Sequence, residues 1–75
     1  MSVLLIAPYR QTDAWGNKSL QFAKLIEEQY RDKDLCIRPF YYNLANLRND
    51  IGDLEKYEYN KVTSKDVLIP ILFFN

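Results

Sequence analysis

The sequence predicts an α/β fold in which strands and helices alternate in the order β-α-β-α-β. Two nearly unbroken apolar runs, Val3–Ala7 and Asp66–Asn75, have the composition of strands that are covered on both faces. Between them the apolar residues recur at spacings of three and four, which is typical of amphipathic helices. Strands that alternate with helical segments predict a three-stranded parallel sheet joined by right-handed crossovers.

The first strand, Val3–Ala7, is a continuous β-branched and leucine run, and Pro8 ends it because proline has no N–H for a sheet ladder. A loop, Tyr9–Asn17, follows and contains Gly16, one of the two glycines of the chain. Asn17 or Ser19 can cap the next helix, with Thr12 and Asp13 as alternatives if it starts earlier.

The predicted first helix runs from about Lys18 to Tyr30. Its apolar side is expected to pack on the sheet, and its charged side to face solvent. The predicted packed side contains Ser19, Phe22, Ala23, Ile26 and Tyr30.

The second strand is predicted at Leu35–Arg38 and is expected to continue through Phe40–Tyr42. Pro39 interrupts this segment, which favours an edge strand or a bulge. A second helical period then predicts either one kinked helix, broken near Gly52, or two short ones. Its apolar positions are Leu44, Leu47, Ile51 and Leu54, with Asn43 as a cap.

The remainder is predicted to be a polar, aromatic connection, Tyr57–Ser64, followed by the third strand, Asp66–Asn75. Pro70 places an edge, a bulge or a break near the middle of that strand. Two helices cannot cover both faces of three apolar strands well, and the chain stops where another crossover helix is expected. Residues 1–75 are therefore expected to form a single, incomplete Rossmann-like half-domain, or one covered by self-association.

Composition excludes several function classes. Ten basic residues balance ten acidic ones, so the chain lacks the positive surplus expected of a nucleic-acid-binding protein. No apolar run approaches the roughly 20 residues that span a bilayer, and no signal peptide is recognisable, so a cytoplasmic location is expected. With one cysteine and no histidine, neither a disulfide framework nor a histidine-containing metal site is expected.

The common catalytic motifs are absent from the sequence. Neither a P-loop nor a G-x-G-x-x-G fingerprint occurs, so no cofactor is predicted. Without histidine, no Ser–His or Cys–His nucleophile can form within the chain. Cys36 falls in a predicted strand, where inert packing is the favoured interpretation over reactivity.

The loop before the first helix is the candidate site, and each of its residues has a structural alternative. Gly16 is either a turn residue with positive φ or a position where phosphates approach the backbone. Trp15 is a packing residue or a stacking platform, and Asp13 is a helix cap, a base or a ligand of a sugar hydroxyl. Arg10 and Lys18 are either solvated or add positive charge to the site.

Three segments together resemble the opening of glycosyltransferases that are built from two Rossmann-like domains (the GT-B type). They are Val3–Arg10, then Ala14-Trp15-Gly16, then Ser19–Leu25. The third predicted strand, introduced by Lys65-Asp66 before an apolar run, is similar to the third strand of that family.

The resemblance implies transfer of a sugar from a nucleotide-sugar donor to an acceptor, with this chain inactive alone because the C-terminal domain is missing. It places Gly16, Trp15, Asn17 and Ser19 at the donor phosphates. Tyr9, Arg10 and Asp13 are then expected on the acceptor side. Many members of the family carry paired glycines at this loop, whereas this chain has one.

A second hypothesis is a small non-enzymatic α/β interaction module that oligomerises or docks on a partner through its third strand and Phe73-Phe74. A receiver-like phosphoacceptor domain is a weaker third hypothesis. It requires an acidic cluster after the first strand, where Pro8-Tyr9-Arg10 stands instead.

Overall fold

The computed structural model describes residues 2–62 and 67–71. Its regular elements are β1 (Ser2–Ala7), α1 (Ala14–Tyr30), β2 (Asp34–Pro39), a 3₁₀ turn (Gly52–Leu54), α2 (Glu55–Glu58) and β3 (Val67–Pro70). The three strands are parallel and lie in the order β2-β1-β3, so β1 is central. The predicted α/β class with a three-stranded parallel sheet is confirmed.

The core lies on the face of the sheet that carries alternate residues of the strands. Val3 and Leu5 of β1 stand beside Leu35 and Ile37 of β2 in the parallel register, and all four are at most 1% exposed. They form one apolar cluster with residues of α1, of the 3₁₀ turn and the position before it, and of α2, namely Ala23, Ile26, Ile51, Leu54 and Tyr57. Both helical segments therefore contribute to a single core.

Pro39 and Pro70 stand at the outer edges of the sheet. The N–H groups of the residues that follow them reach β1 carbonyls: Phe40 to Ala7 (3.0 Å) and Ile71 to Ile6 (2.7 Å). Because the direction of hydrogen bonding alternates along a strand, the nitrogen of each proline faces away from β1, where no ladder bond is lost. The prediction that these prolines mark edge strands is confirmed.

Helix α1 begins at Ala14, earlier than the predicted start near Lys18. Asp13 is its N-cap, and a carboxylate oxygen of this residue accepts a hydrogen bond from the Gly16 N–H at 2.8 Å. The helix thus uses one of the two alternative early caps, and neither Asn17 nor Ser19 caps it.

The packed side of α1 is also rotated from the predicted one. Ser19, Ala23 and Ile26 are buried as predicted, but Phe22 is 40% exposed. Leu20, which was not placed on the packed side, contacts the core instead. The earlier start brings Gly16 into the helix, where it is one of the four buried residues.

Strand β2 ends at Pro39 and does not continue through Phe40–Tyr42 as predicted. The second predicted helix, from Asn43 to Leu54, is largely wrong as well. Residues 43–50 are irregular, and the helical structure is confined to one 3₁₀ turn and the four residues of α2. Side-chain hydrogen bonds to the backbone of this segment, described below, replace those of a helix.

The predicted third strand is confirmed for Val67–Pro70. The rest of that prediction, including Phe73-Phe74, lies outside the described residues. Within residues 2–62 and 67–71, no helix combines the length and apolar character that crossing a membrane requires.

Candidate functional site

The candidate site lies at the carboxyl ends of the parallel strands. The loop after β1, residues 8–13, leads directly into the N-terminus of α1, and β2 ends next to it. Because β1 is central, the loop after it lies between the carboxyl ends of β2 and β3. In open α/β sheets, ligands usually bind in a crevice outside the carboxyl ends of the strands.

Three aromatic rings form a cluster at this edge. Trp15 in the first turn of α1 stacks on Tyr42, with ring centroids 4.7 Å apart and an angle of 18° between the rings. Phe40, directly after β2, packs at 6.1 Å from each of the two rings. We refer to Trp15, Phe40 and Tyr42 as the aromatic cluster.

Asp13 joins the aromatic cluster to the helix. Its carboxylate accepts the Gly16 N–H and, at both oxygens, the Tyr42 hydroxyl, with 2.5 Å to Oδ2. The hydrogen bond from Tyr42 and then that from Gly16 lower the pKa of Asp13. Burial and the neighbouring carboxylate raise the pKa of Tyr42 to about 12. At neutral pH the pair therefore consists of a charged carboxylate and a protonated phenol.

Gly16 is buried and occupies a position that only glycine fits. A Cβ placed there would lie 2.0 Å from the Gln11 carbonyl oxygen. Its N–H is already bonded to Asp13, and the Asn17 N–H donates to the Asp13 carbonyl at 2.8 Å. In the first turn of α1, the N–H groups of Ala14 and Trp15 have no carbonyl four residues earlier in the helix to bond to. They point toward the carboxyl edge of the sheet.

The other predicted donor-side residues differ in their surroundings. Asn17 is exposed, and its side-chain oxygen accepts a hydrogen bond from Arg48. Ser19 is 1% exposed and its hydroxyl has no hydrogen-bond partner among the described residues. The indole N–H of Trp15 is likewise buried without a partner in this part of the chain.

Tyr9 and Arg10, predicted on the acceptor side with Asp13, both bind Glu58 of α2. Arg10 grips that carboxylate through two nitrogens at 3.0 and 2.8 Å, and the fully buried Tyr9 hydroxyl donates to it at 2.5 Å. Asp13 instead contacts the aromatic cluster, so the three predicted acceptor-side residues are divided between that cluster and α2.

Hydrogen bonds among Tyr9, Arg10 and Glu58 shift the pKa values of these side chains. Burial and then the hydrogen bond to Glu58 raise the pKa of Tyr9 well above its ordinary value. Burial tends to raise the pKa of Glu58, but the hydrogen bonds from Arg10 and Tyr9 outweigh it and leave a net lowering. Glu58 is therefore ionised at neutral pH and anchors α2 to the loop after β1.

Gln11 was not singled out in the sequence, yet it organises the loop opposite α1. Only 1% of its surface is exposed, and its amide group is fully bonded to backbone. Its nitrogen donates to the carbonyls of Asn43 (2.8 Å) and Asn46 (2.9 Å), and its oxygen accepts from the N–H groups of Tyr42 and Asn43 (both 3.0 Å). This network holds Tyr42 against Asp13 and Trp15.

Arg48 is a second residue that the sequence did not reveal. Its guanidinium donates to the Gln11 carbonyl at 2.9 Å and to the Asn17 side chain, next to the first turn of α1. Within the described residues it makes no ion pair, and its Nε is buried without a partner. The sequence shows only an arginine within a predicted helix, and many surface arginines fit that description.

Acidic and cysteine side chains do not gather into a metal site in the described part of the chain, since no three of them converge. No protein-family model matches the sequence, and no curated protein or solved structure is significantly similar to it.

Proposed function

We propose that the chain is the N-terminal Rossmann-like part of a two-domain glycosyltransferase, which transfers a sugar from a nucleotide-sugar donor to an acceptor. One observation carries the proposal. The aromatic cluster and the Asp13 carboxylate meet the N-terminus of α1 at the carboxyl edge of a parallel sheet. Aromatic faces and a carboxylate suit a sugar, while helix-start amides suit a phosphate.

On the sugar side, Asp13 is the central residue. Its charged carboxylate accepts hydrogen bonds, and a sugar hydroxyl has the same donor chemistry as the Tyr42 hydroxyl that it binds now. The exposed part of Tyr42 offers a flat apolar surface to the C–H face of a pyranose ring. The unpartnered indole N–H of Trp15 supplies a donor to a sugar or phosphate oxygen.

On the donor side, we assign the phosphates to the start of α1. The amides of Ala14 and Trp15 are available there, whereas that of Gly16 is bonded to Asp13. A phosphate that also used Gly16 and Asn17 would have to displace the capping carboxylate. Arg48, which is bound to Asn17, adds the positive charge that favours a diphosphate, and the buried Ser19 supports the turn behind it.

Neither a base nor a leaving-group acid is assigned within this chain. The described carboxylates near the site, Asp13 and Glu58, are committed to a helix cap and to an ion pair. We therefore propose that the chain contributes binding and positioning, and that the second domain of the enzyme supplies the remaining wall of the nucleotide pocket.

The single tryptophan of the chain makes the proposal directly testable, because it lies inside the proposed site. Titration with UDP-glucose, GDP-mannose and the free nucleotides is expected to change Trp15 fluorescence saturably, with the nucleotide-sugars binding more tightly. Asp13→Asn keeps a capping side chain and removes the charge, so it is expected to reduce the preference for the sugar-containing ligand. An exposed control, Tyr59→Phe, should bind like the original protein.

A flat titration with every nucleotide and nucleotide-sugar up to millimolar concentration would contradict the proposal. Equal affinity for nucleotide and nucleotide-sugar would remove the sugar role of Asp13 and leave only a phosphate site.

A second candidate, a non-enzymatic interaction module, is favoured by the outer side of α1. Phe22 and Leu25, one turn apart, are 40% and 59% exposed and form a small apolar surface with Lys18 and Gln21. A defined homo-oligomer in sedimentation velocity that dissociates in Phe22→Ser, with no nucleotide affinity, would favour this module over the glycosyltransferase.

A further inference from the structure

The side chain of Tyr42 covers the two groups to which the proposed function assigns a sugar. Its ring stacks on Trp15 with 4.7 Å between the ring centroids, and its hydroxyl donates to both oxygens of the Asp13 carboxylate. One side chain of the protein therefore makes the ring contact and the hydroxyl contact at the same time. A ring that carries a hydroxyl group at its edge is the chemistry that this place accepts.

The backbone that carries Tyr42 is fixed independently of its side chain. The N–H groups of Tyr42 and Asn43 both donate to the side-chain oxygen of Gln11 at 3.0 Å, and Gln11 is 1% exposed. The side-chain nitrogen of Gln11 donates to the carbonyls of Asn43 and Asn46 in the same loop. Rotation about the side-chain torsions of Tyr42 therefore moves its ring and its hydroxyl without disturbing this loop.

The contact between Tyr42 and Asp13 lies at the surface. Tyr42 is 39% exposed, and Asp13 is exposed as well. Tyr9 makes the same kind of hydrogen bond, to Glu58 at 2.5 Å, but Tyr9 is fully buried. Breaking the Tyr9 bond would leave a phenol without a partner in the core, whereas the hydroxyl of Tyr42 exchanges Asp13 for water. Of the two tyrosines, only Tyr42 is therefore free to leave its carboxylate.

We propose that the Tyr42 side chain is a gate, which occupies a binding site for a hydroxylated ring and leaves it when such a ligand enters. In the open state the ligand stacks on Trp15 and donates a hydroxyl to Asp13, while the displaced Tyr42 ring covers the outer side of the ligand. Because the closed gate competes with the ligand, it lowers the observed affinity. Sugars and phenols share this chemistry. The choice of a sugar rests on the proposed glycosyltransferase function, whereas the gate does not.

The first experiment replaces the gate by a free molecule, p-cresol, which is the side chain of tyrosine. Tyr42→Ala keeps the backbone N–H that Gln11 binds, and p-cresol is titrated into the ¹⁵N-labelled variant. The indole N–H signal of Trp15, the single tryptophan, is expected to shift saturably. Toluene, which lacks the hydroxyl, should bind about fivefold more weakly. The original protein should bind p-cresol about tenfold more weakly than Tyr42→Ala, because its own side chain competes.

Quenching of Trp15 fluorescence by acrylamide measures the gate without any ligand. Tyr42→Ala is expected to raise the quenching constant, because no ring covers the indole. Tyr42→Phe keeps the ring and loses the hydrogen bond to Asp13, so it is expected to raise the constant by less, and it tests the gate even if Tyr42→Ala fails to fold. Tyr41→Ala is the matched control and should leave quenching unchanged, since Tyr41 is 44% exposed and lies outside the aromatic cluster.

Titration with UDP-glucose distinguishes the two ligand sources. Tyr42→Phe is expected to bind UDP-glucose about threefold more tightly than the original protein, because opening no longer breaks the bond to Asp13. Binding of p-cresol to Tyr42→Ala, with no binding of UDP-glucose to any variant, would support the gate with a phenol as its ligand and would contradict the glycosyltransferase. The gate is overturned if p-cresol binds Tyr42→Ala no better than toluene, or if Trp15 is quenched equally in Tyr42→Ala, Tyr42→Phe and the original protein.

Discussion

At the scale of single residues, the contact between Gly16 and Gln11 fixes how closely the first turn of α1 approaches the loop after β1. The glycine has an ordinary helical conformation, so its requirement comes from space and not from φ. Gly52 is the opposite case, with open space around its Cα and a positive φ. The same residue type therefore serves two different physical purposes in one chain.

Gly16→Ala is expected to destabilise the protein by about 1–3 kcal/mol or more, because the new methyl group meets backbone that cannot move aside. Gly52→Ala is expected to cost about 1–2 kcal/mol, from its left-handed conformation alone. Urea unfolding followed by circular dichroism measures both. A Gly16→Ala protein as stable as the original would show that the contact with Gln11 relaxes freely.

Gln11 is the residue whose loss should matter most to the irregular segment 42–46. Gln11→Leu keeps the size but leaves the N–H groups of Tyr42 and Asn43 without partners and removes one of the hydrogen bonds to each of the Asn43 and Asn46 carbonyls, and we expect a loss of about 2–4 kcal/mol. Hydrogen exchange at Tyr42 and Asn43 should accelerate. Gln29→Leu, at an exposed position of α1, is the matched control and should change stability by less than about 0.5 kcal/mol.

At the scale of elements, helix α1 is positioned by its cap. Asp13 satisfies the Gly16 amide and simultaneously receives the Tyr42 hydroxyl, so the helix start and the loop after β2 share one carboxylate. A helix that began near Lys18 would leave Trp15 outside the helix and Gly16 away from Gln11. The start at Ala14 thus creates the aromatic cluster.

Asp13→Ala is expected to destabilise the protein, since it removes the cap, and Asp13→Asn is expected to destabilise it less, since asparagine also caps helices. Thermal unfolding compares the two, and the near-ultraviolet circular dichroism of the Trp15–Tyr42 stack reports the local change. If Asp13→Asn were as destabilising as Asp13→Ala, the charge rather than the cap geometry would be the important feature.

At the scale of the whole molecule, Glu58 of α2 links the loop after β1 to strand β2. Its carboxylate bonds to Tyr9 and Arg10 after β1, while its own backbone carbonyl accepts a hydrogen bond from Arg38 of β2. The short helix α2 has too few residues to be stable by itself. Its position therefore depends on this carboxylate, on the buried Leu54 that precedes the helix and on the buried Tyr57 within it.

Glu58→Gln is expected to destabilise the protein by about 2–3 kcal/mol at neutral pH, because a charged acceptor of Arg10 and Tyr9 is lost. The folded pKa of Glu58 lies below its ordinary value of 4.5. Its contribution is thus complete above about 4.5 and is lost as the pH falls through the folded pKa.

The difference in unfolding free energy between the original protein and Glu58→Gln should therefore shrink on acidification, as measured by urea unfolding from about pH 7 to pH 3. Glu55→Gln is the control, because Glu55 lies 4.0 Å from Arg10 and is half exposed. A difference that stays constant with pH would show that Glu58 acts by packing and not by charge.

Local sequence patterns predicted the strands and the first helix. Long-range contacts explain why the second helix was wrongly predicted and why Gln11 and Arg48 were overlooked. The strand at Val3–Ala7 and the edge positions of Pro39 and Pro70 could be predicted, because they depend on local composition and on the missing N–H of proline. The segment 43–50 was misread as a helix, because the amide of Gln11, more than thirty residues away, satisfies its backbone. Arg48 and Gln11 gave no local signal, since their importance lies in what they contact.

The sequence by itself determined the α/β class and the alternation of elements, and it offered only a few candidate caps for α1, because propensity, period and capping are properties of neighbouring residues. Only the tertiary structure decided that β1 is central, that Asp13 joins Trp15 and Tyr42, and that Tyr9 and Arg10 turn to Glu58 instead. Those outcomes depend on which distant groups meet in space, and the pattern along one segment contains no information about its partner.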